Sequence, residues 1–387
     1  MAGSLEKRGE DTYRLRVSQG TDGNGKRIQH RKTIKAKSKR EAEKELAKFI
    51  TEIEAGTFIE SPKKTFKEFA EFWLDSFARK NLKQSTVYGY EQMLINRIFP
   101  TIGHIPIEKL KPLHLQQFYS NLQDNGIRMD GKPGGLSNQT IKHHHNCISA
   151  ILQDALEWDV LAQNVAHKVT PPKVAQKEAD FYTEEEAIEI LNALAKEDFK
   201  YATLYTLAFT TGLRKGELLG LEWSHIDFIA KELHIKQTSL YNPKAGIYTD
   251  IPKSRTSIRS LSISDSELLL LRKLKISQDK QKELQQELWI EHNRLFTQWN
   301  GKPMHPSTVN SEFKKFLRKN QFPVKSFHTT RHTNITLLLA NNVDIKTVIH
   351  RAGHADGIMT INKYGHALKS KDRDAAIKLE NIFLKEV

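Results

Sequence analysis

The amino-acid sequence predicts a multidomain α+β protein, with a small N-terminal module of β-sheet and helix, an all-α helical bundle, and a mainly α third domain that contains a small antiparallel sheet. The first observation is length, because 387 residues exceed one ordinary domain. The second is a pair of polar, proline-containing segments, EAGTFIESPKKT and TPPKVAQKEAD, which are typical of linkers. We therefore expect domains at residues 1–57, 64–167 and 180–387.

The first domain shows a change of apolar period, from two in its strands to 3.6 in its helix. In TYRLRVS apolar and basic residues alternate, DGNG is a hairpin signal, and RIQHRKTIKA continues as a second strand. Ser38 and Glu41 then form a capping box, followed by an apolar stripe. The stripe consists of Ala42, Leu46, Phe49, Ile50 and Ile53. This predicts two strands that pack on one helix.

The same domain is strongly basic. Between Lys26 and Arg40 there are eight basic residues and no acidic residue. A charged edge that discourages strand aggregation is one explanation, and a sheet face that enters a DNA groove is the other. We expect the DNA contact. The candidate DNA-binding residues are Arg14, Arg16, Lys26, Arg27, Arg31, Lys32 and Lys35.

The second domain reads as helices throughout. Thr65 and Glu68 form a capping box. The first apolar stripe after it comprises Phe66, Phe69, Phe72, Trp73 and Phe77. A second helix is expected to end at Pro100. The consecutive histidines 143–145 point about 100° apart on a helix, so they cannot converge on one metal ion, and a polar helix face is the better interpretation. Cys147 is expected to be a buried structural thiol.

The third domain opens with another capping box, Thr183 and Glu186. Its middle, KELHIKQTSLYNPKAGIYTDIPKSRTSIRSLSIS, is rich in Thr, Ser, Ile and Tyr with turn residues between them. This composition predicts a small antiparallel sheet with helices on both sides.

Overall charge indicates a polyanionic partner. Lys and Arg number 60 against 46 Asp and Glu, which gives a net charge of +14 and a pI near 9.5. Nucleic acid is the first candidate and a membrane surface the second. No run approaches the roughly 18 apolar residues of a membrane span, and the start lacks a signal-peptide core, so we expect a soluble cytoplasmic protein without membrane contact. A single cysteine excludes an intrachain disulfide.

Four stretches of the third domain carry candidate chemistry. Arg214, in FTTGLRKGELLGLEW, is a lone arginine in an apolar run, where Glu217 could pair with it structurally or hold it as a ligand clamp. Lys253 lies in an expected hairpin turn. FHTTRHTNI brings together His328, Arg331 and His332, GH contains His354, and NKYGH contains Tyr364.

The histidine pair 328 and 332 also allows a zinc interpretation, because residues four apart share one helix face. Zinc hydrolases of this type need a glutamate directly after the first histidine, and Thr329 stands there. The zinc interpretation therefore lacks its catalytic base, and HxxR as a phosphate-binding pair remains open beside it.

Taken in order, Arg, a hairpin Lys, HxxR, GH and Tyr make this chain resemble the tyrosine recombinases, specifically the integrases of temperate phages and conjugative transposons. The resemblance covers nearly the whole chain. It implies an arm-type DNA-binding domain, a helical core-binding domain and a catalytic domain with a C-terminal tail. The departures are Arg351 and Ala352 before the GH glycine and ADG after His354, which concern packing beside that histidine.

The resemblance also implies roles for six residues. Arg214 and Arg331 would grip the phosphate, since two guanidinium forks stabilise charge on non-bridging oxygens better than lysine point charges. Tyr364 would be the nucleophile, and His328 and His354 would favour its deprotonation, with the choice of base left open. Lys253 would protonate the 5′ oxygen. The product would be a 3′-phosphotyrosyl link, formed without ATP, metal or other cofactor. HxxR would then be a phosphate-binding pair, and His332 would be structural.

The implied function is site-specific DNA recombination that integrates and excises a mobile element. The implied partners are double-stranded DNA attachment sites of core and arm type, a homotetramer on DNA, an excisionase and a host DNA-bending protein, with the protein associated with the nucleoid of a bacterial host. The apolar positions Ala376, Leu379, Ile382 and Phe383 form a tail that docks in cis or on a neighbouring protomer. Alternatives are a catalytically inactive DNA-binding regulator and a recombinase for dimer resolution.

Overall fold

The computed structural model describes residues 2–21, 27–54, 64–175, 180–250, 258–353 and 372–383. The chain divides into two units, 1–174 and 175–387. The predicted α+β class is confirmed, because small antiparallel sheets accompany a large helical content in the described residues. Among these residues, no helix is both long and apolar enough to cross a membrane.

The first unit begins with an antiparallel sheet of three strands in the order β1–β2–β3. The strands are β1 (Ala2–Lys7), β2 (Thr12–Thr21) and β3 (Arg27–Lys35). The predicted pairing of β2 with β3 is confirmed, whereas β1 was missed. Leu5 is the only large apolar residue of β1, so the strand has no visible alternation. The predicted DGNG turn lies outside the described residues.

Helix α1 (Lys39–Glu54) covers one face of this sheet. Its capping box is confirmed in modified form: the Glu41 backbone N–H donates to the Ser38 hydroxyl, and the Glu41 carboxylate accepts from the Lys37 backbone N–H. Phe49 and Ile53 bury against Leu15 and Val17 of β2. Apolar and basic residues alternate along β2, so the sheet has an apolar face under α1 and an opposite face that carries Arg14 and Arg16.

The rest of the first unit is helical, as predicted. Its helices are α2 (Phe66–Trp73), α3 (Arg79–Asn81), α4 (Gln84–Met93), α5 (Phe99–Ile102), α6 (Pro112–Asn121) and α7 (Asn138–Glu157), with π-helical turns at Leu74–Ala78 and Leu94–Ile98 and 3₁₀ turns at Ile107–Lys109 and Val165–Lys168. The capping box of Thr65 and Glu68 is confirmed. Cys147 is buried, which raises its thiol pKa. This helical core and the core under α1 consist of different residues.

Three details of this region differ from the predictions. The helix expected to end at Pro100 continues to Ile102, because a π-helical turn precedes the proline and the Phe99 N–H reaches back to the Leu94 carbonyl. Phe72 is 47% exposed rather than buried in the core stripe. Histidines 143, 144 and 145 bond to three different groups: the Gln139 side chain, the Thr140 carbonyl and the Tyr119 hydroxyl. His144 is buried, so the polar-face interpretation is wrong for that residue.

The second unit consists of helices around two small sheets. Its helices are α8 (Glu184–Leu194), α9 (Phe199–Thr211), α10 (Lys215–Gly220), α11 (Asp265–Gln285), α12 (Pro306–Lys319), α13 (Thr329–Ala340), α14 (Ile345–Ala352) and α15 (Asp372–Phe383), with 3₁₀ turns at Trp223–His225 and Gln286–Leu288. Its strands are β4 (Ile226–Asp227), β5 (Glu232–Ile235), β6 (Thr238–Asn242), β7 (Gly246–Asp250) and β8 (Arg259–Ser262). The capping box of Thr183 and Glu186 is confirmed.

The predicted single sheet is two sheets: β4–β5–β8 and the hairpin β6–β7. Register shows why, since β5 pairs with β8 and β7 pairs with β6. In the described residues β7 and β8 therefore belong to different sheets, so the hairpin predicted around Lys253 does not join two paired strands. The large core of this unit lies between the β4–β5–β8 sheet and the surrounding helices.

Candidate active site and DNA-binding surfaces

Arg214 is presented by a sharp turn between two helices. Helix α9 ends at Gly212, whose φ of +64° is left-handed, and a Cβ there would lie 2.5 Å from Asn334 Oδ1. Two residues later Arg214 stands at the N-cap of α10 with its side chain 37% exposed. Its Nη1 donates to Glu217 Oε1 at 2.7 Å. The pairing expected between Arg214 and Glu217 is confirmed.

Glu217 binds a second arginine that the sequence analysis did not select. Arg259, the first residue of β8, places Nη2 at 3.1 Å from Glu217 Oε2 and Nη1 at 3.4 Å from Oε1. The side chains of Glu217 and Arg259 are 3% and 1% exposed. Burial raises the pKa of Glu217, but the charges of Arg259 and Arg214 outweigh it and hold that pKa below its usual value. One buried carboxylate therefore orients two guanidinium groups.

Arg331 lies in the first turn of α13 and is 1% exposed. Its Nη1 donates to the Gly212 carbonyl at 2.8 Å, and its Nη2 donates to the Ala352 carbonyl. The first contact ties Arg331 to the same turn that presents Arg214. The structure thus brings together the two arginines for which the sequence predicted a common role.

The carboxyl end of α14 is the point at which the three arginines meet. Each donates to a different backbone carbonyl of three consecutive residues: Arg259 Nε to Arg351 at 2.9 Å, Arg331 Nη2 to Ala352, and Arg214 Nη2 to Gly353 at 3.0 Å. These carbonyls lie at a helix end, which leaves them without intrahelical partners and gives them partial negative charge. Gly353, with φ of +60°, ends α14 immediately before His354.

His328 and His332 lie together at the start of α13. Their rings meet edge to face with centroids 4.6 Å apart. His328 is exposed, whereas His332 is buried, which agrees with the structural role expected for His332. Within the described part of the chain, no group of three or more His, Cys, Asp or Glu side chains is placed to hold a metal ion.

A cavity of about 280 Å³ opens beside His328. It is lined by Lys215, Asn310, Lys314, Ser326, Phe327 and His328. Burial lowers the pKa of Lys215, the residue that follows Arg214. Sequence reasoning missed both lysines, because each is one of 60 basic residues and only the fold places them next to the HxxR pair.

Three predicted site residues, Lys253, His354 and Tyr364, lie outside the described residues. Their places in the sequence are given by the neighbouring strands and helices that the structure describes. Lys253 falls between β7 and β8, and His354 directly follows Gly353. Their proposed roles come from the sequence pattern.

The basic residues of the N-terminal sheet separate by face. Cross-strand partners share a face, and β2 pairs with β3 as Thr12–Lys35, Arg14–Thr33, Leu15–Lys32 and Arg16–Arg31. Arg14, Arg16, Arg31 and Lys35 therefore lie on the face away from α1. Glu6 lies there as well and accepts from Arg16 at 2.5 Å. Lys26, and the side chain of Arg27, lie outside the described residues.

Lys32 lies on the other face. It is opposite Leu15, its ammonium is 5.6 Å from the centroid of the Phe49 ring, and it pairs with Glu52 of α1 at 3.5 Å. A one-residue step along β3 thus separates Lys32 from Arg31. The structure groups four of the candidate DNA-binding residues and places Lys32 apart from them.

Comparison with known proteins finds two matching family domains in this chain. Residues 180–371 match the phage integrase family, and residues 65–123 match the phage integrase N-terminal SAM-like domain. A tyrosine recombinase XerC-like protein of Caldanaerobacter subterraneus subsp. tengcongensis is 30% identical over 396 residues, covering 98% of each chain. The ICEBs1 integrase of Bacillus subtilis is 27% identical over 383 residues, covering 98% of this chain and 100% of that protein.

Among solved structures, the Tn1549 transposon integrase in complex with a circular intermediate DNA superposes with a TM-score of 0.67. The match covers 82% of this chain and 99% of that chain at 20% identity, so it supports the fold. The family match and the relatives that align over nearly all of this chain establish the class of protein. The chain belongs to the phage integrase family and is a tyrosine recombinase, a site-specific DNA recombinase of the type that integrates mobile elements.

Proposed function

We propose that Arg214 and Arg331 bind the phosphate at which DNA is cut and that Tyr364 attacks it. One observation carries this proposal: both guanidinium groups converge on the end of α14, directly before His354. Hydrogen bonds within the protein fix both side chains: Arg214 donates to Glu217, and Arg331 donates to the Gly212 carbonyl. Donors fixed in this way stabilise developing charge without reorganising during the reaction.

In the proposed reaction the Tyr364 oxygen bonds to phosphorus, and the bond from phosphorus to the 5′ oxygen breaks. Free tyrosine has a pKa near 10, so its proton must pass to a base, for which His328 and His354 are the candidates. The leaving 5′ oxygen takes a proton from Lys253. The 3′-phosphotyrosyl bond retains the energy of the phosphodiester, and attack by a 5′ hydroxyl reverses the step to join a new strand.

DNA is the proposed substrate at two kinds of site. The Tn1549 integrase was solved with a circular intermediate DNA, which supports DNA binding by this chain. Core-site binding is assigned here to residues 64–167 and 180–387. The sheet face that carries Arg14, Arg16 and Arg31 is the proposed reader of arm sites, within a domain of residues 1–57. The cavity beside His328 adds two lysines that contact DNA phosphates near the cleaved one.

The active assembly is proposed to be a homotetramer on two attachment sites, assisted by an excisionase and a host bending protein at the nucleoid. The tail helix α15 supports an intermolecular role, because Ile377, Leu379, Ile382 and Phe383 are 46–75% exposed. An apolar set exposed on one short helix needs a partner surface. We propose that it docks on a neighbouring protomer.

Covalent trapping tests the proposed chemistry. The protein would be incubated with DNA that flanks its gene, in excess EDTA, and then denatured. We expect a protein–DNA adduct that is lost in Tyr364→Phe and kept in Tyr241→Phe, an exposed tyrosine of the same unit. An adduct that persists in Tyr364→Phe would contradict the nucleophile assignment. DNA binding without any adduct, even on a nicked substrate, would favour the non-catalytic regulator.

A further inference from the structure

We propose that Arg259 is a positioning residue for DNA cleavage, which sets the phosphate-binding geometry of Arg214 and fixes the end of α14. This inference rests on the role proposed above for Arg214. Neither the sequence motifs nor the six candidate catalytic residues include Arg259. Its geometry is what distinguishes it from the other basic residues of the chain.

The first step of the argument is the shared carboxylate. Glu217 has two oxygens: Oε1 accepts from Arg214 Nη1 at 2.7 Å and from Arg259 Nη1 at 3.4 Å, and Oε2 accepts from Arg259 Nη2 at 3.1 Å. Oε2 also accepts from the Arg214 backbone N–H at 3.1 Å. The position of the carboxylate that orients Arg214 therefore depends on the fork of Arg259.

The second step is the contact with α14. Arg259 Nε donates to the Arg351 carbonyl at 2.9 Å, one residue from the carbonyl bound by Arg331 and two from that bound by Arg214. Gly353 makes this approach possible, since a Cβ there would lie 2.6 Å from Arg259 Nη1. One planar side chain thus connects strand β8, the carboxylate behind Arg214 and the backbone that leads to His354.

The third step is that lysine cannot replace this group. An ammonium keeps the charge that compensates Glu217, but it has no fixed fork that reaches a carboxylate and a carbonyl at once. Arg259→Lys should therefore preserve the charge balance of the buried pair and disturb geometry. The cleavage rate should fall more than DNA binding, because the Arg259 guanidinium donates to Glu217 and to the Arg351 carbonyl and acts through Arg214.

The test compares two duplexes that contain the core site mapped by adduct formation. One carries the normal phosphodiester, and the other carries a methylphosphonate, in which a methyl group replaces one non-bridging oxygen of the cleaved phosphate. The methylphosphonate lacks the negative charge that Arg214 stabilises. We expect Arg259→Lys to slow adduct formation about 10–100-fold on the phosphodiester and far less on the methylphosphonate. Arg214→Lys should show the same substrate pattern.

Arg294→Lys is the matched control. Arg294 is also a buried arginine of the second unit, 6% exposed, but it binds the Gly220 carbonyl and Thr249. Arg294→Lys should change the rate of adduct formation by the same factor on both substrates. In the double variant Arg214→Lys with Arg259→Lys, adduct formation should be little slower than in Arg214→Lys alone. The reason is that Arg259 acts by orienting the guanidinium of Arg214.

Gly353→Ala supplies a second probe if Arg259→Lys folds poorly by thermal unfolding. The added methyl would displace the Arg259 guanidinium while leaving every charge in place, so it should reproduce the same selective loss on the phosphodiester. The inference would be overturned if Arg259→Lys and Gly353→Ala slowed adduct formation by the same factor on the phosphodiester and the methylphosphonate. It would also be overturned if the two rate losses added in the double variant.

The proposed function and this inference fail in different ways. If the parent protein binds the core site but forms no Tyr364 adduct, the catalytic assignment fails and the inference falls with it. If Arg214→Lys behaves as proposed while Arg259→Lys retains the parent rate and substrate ratio, the positioning role of Arg259 alone is refuted.

Discussion

The two arginine-rich regions of this protein use the same side chain in opposite ways. On the N-terminal sheet, Arg16 and Arg31 stand on a face that is open to solvent, and Arg16 is 39% exposed. Around the end of α14, Arg259 and Arg331 are both buried and donate to backbone carbonyls. The first region provides charge that can reach a phosphate backbone. The second region provides guanidinium groups that are held in a fixed orientation.

Affinity for DNA and the chemistry of cleavage thus depend on different regions of one chain. Exposed charges on a sheet release counterions when they meet DNA, and they remain mobile enough to tolerate many sequences. Guanidinium groups locked by a buried carboxylate and by a helix end are already placed before substrate arrives. Variants should therefore divide into those that change binding and those that change rate.

The largest effect is expected for Arg331→Lys. Loss of the fork at a preorganised site should slow adduct formation about 10²–10³-fold, while DNA affinity remains close to that of the parent. Single-turnover cleavage and equilibrium binding on the same core-site DNA would measure the two quantities. Equal losses in both would remove the distinction between the two regions.

Glu217→Gln should lower stability, with a defined pH dependence. The amide keeps the shape but removes the charge between two arginines, which should cost about 2 kcal/mol near neutral pH. The folded-state pKa of Glu217 lies below its usual 4.5, so its stabilisation is present above that value and is lost as pH falls through the lower, folded-state value. Denaturant unfolding at several pH values should show the gap between parent and variant closing in acid. A gap that stays constant would contradict the ionised carboxylate.

Lys215→Ala and Lys314→Ala should weaken core-site binding moderately. Each removes one cation from the cavity beside His328, so the slope of log affinity against log salt should fall by about one in each variant. Arm-site binding should not change. If core-site salt dependence is unaltered, the cavity does not contact the DNA backbone.

The smallest effect is expected in the N-terminal sheet, where two neighbouring residues of β3 lie on opposite faces. Arg31→Ala should weaken arm-site binding and reduce its salt slope by about one, because Arg31 lies on the open face. Lys32→Ala, one residue away, should leave arm-site binding unchanged, since Lys32 faces α1 and Glu52. Similar losses in the two variants would show that the sheet face is not the arm-site reader.

The sequence predicted most of what depends on local pattern. Strand alternation, capping boxes at Thr65 and Thr183, and helical apolar stripes all have short-range causes, and the structure confirms them. The pairing of Arg214 with Glu217 also followed from a spacing of three residues. These features involve contacts over at most a few residues.

The features that were missed depend on contacts between distant residues. Arg259 lies 42 residues from Glu217, and no local spacing connects them. The face occupied by Lys32 was fixed by strand register and by the position of α1, which composition does not encode. The continuation of a helix through Pro100 required a π-helical turn that single-residue propensity does not indicate. In each case tertiary structure decided between locally equal possibilities.

Arg214 and Arg331, which meet at the end of α14, are proposed to bind the phosphate attacked by Tyr364. Single-turnover adduct formation on a nicked core-site duplex, in excess EDTA, tests this proposal most directly when parent, Arg331→Lys and the buried control Arg294→Lys are compared. We expect an adduct on the peptide that contains Tyr364, a rate of adduct formation about 10²–10³-fold lower in Arg331→Lys, and a rate near that of the parent in Arg294→Lys. Equal rates for Arg331→Lys and the parent, or an adduct on another residue, would contradict it.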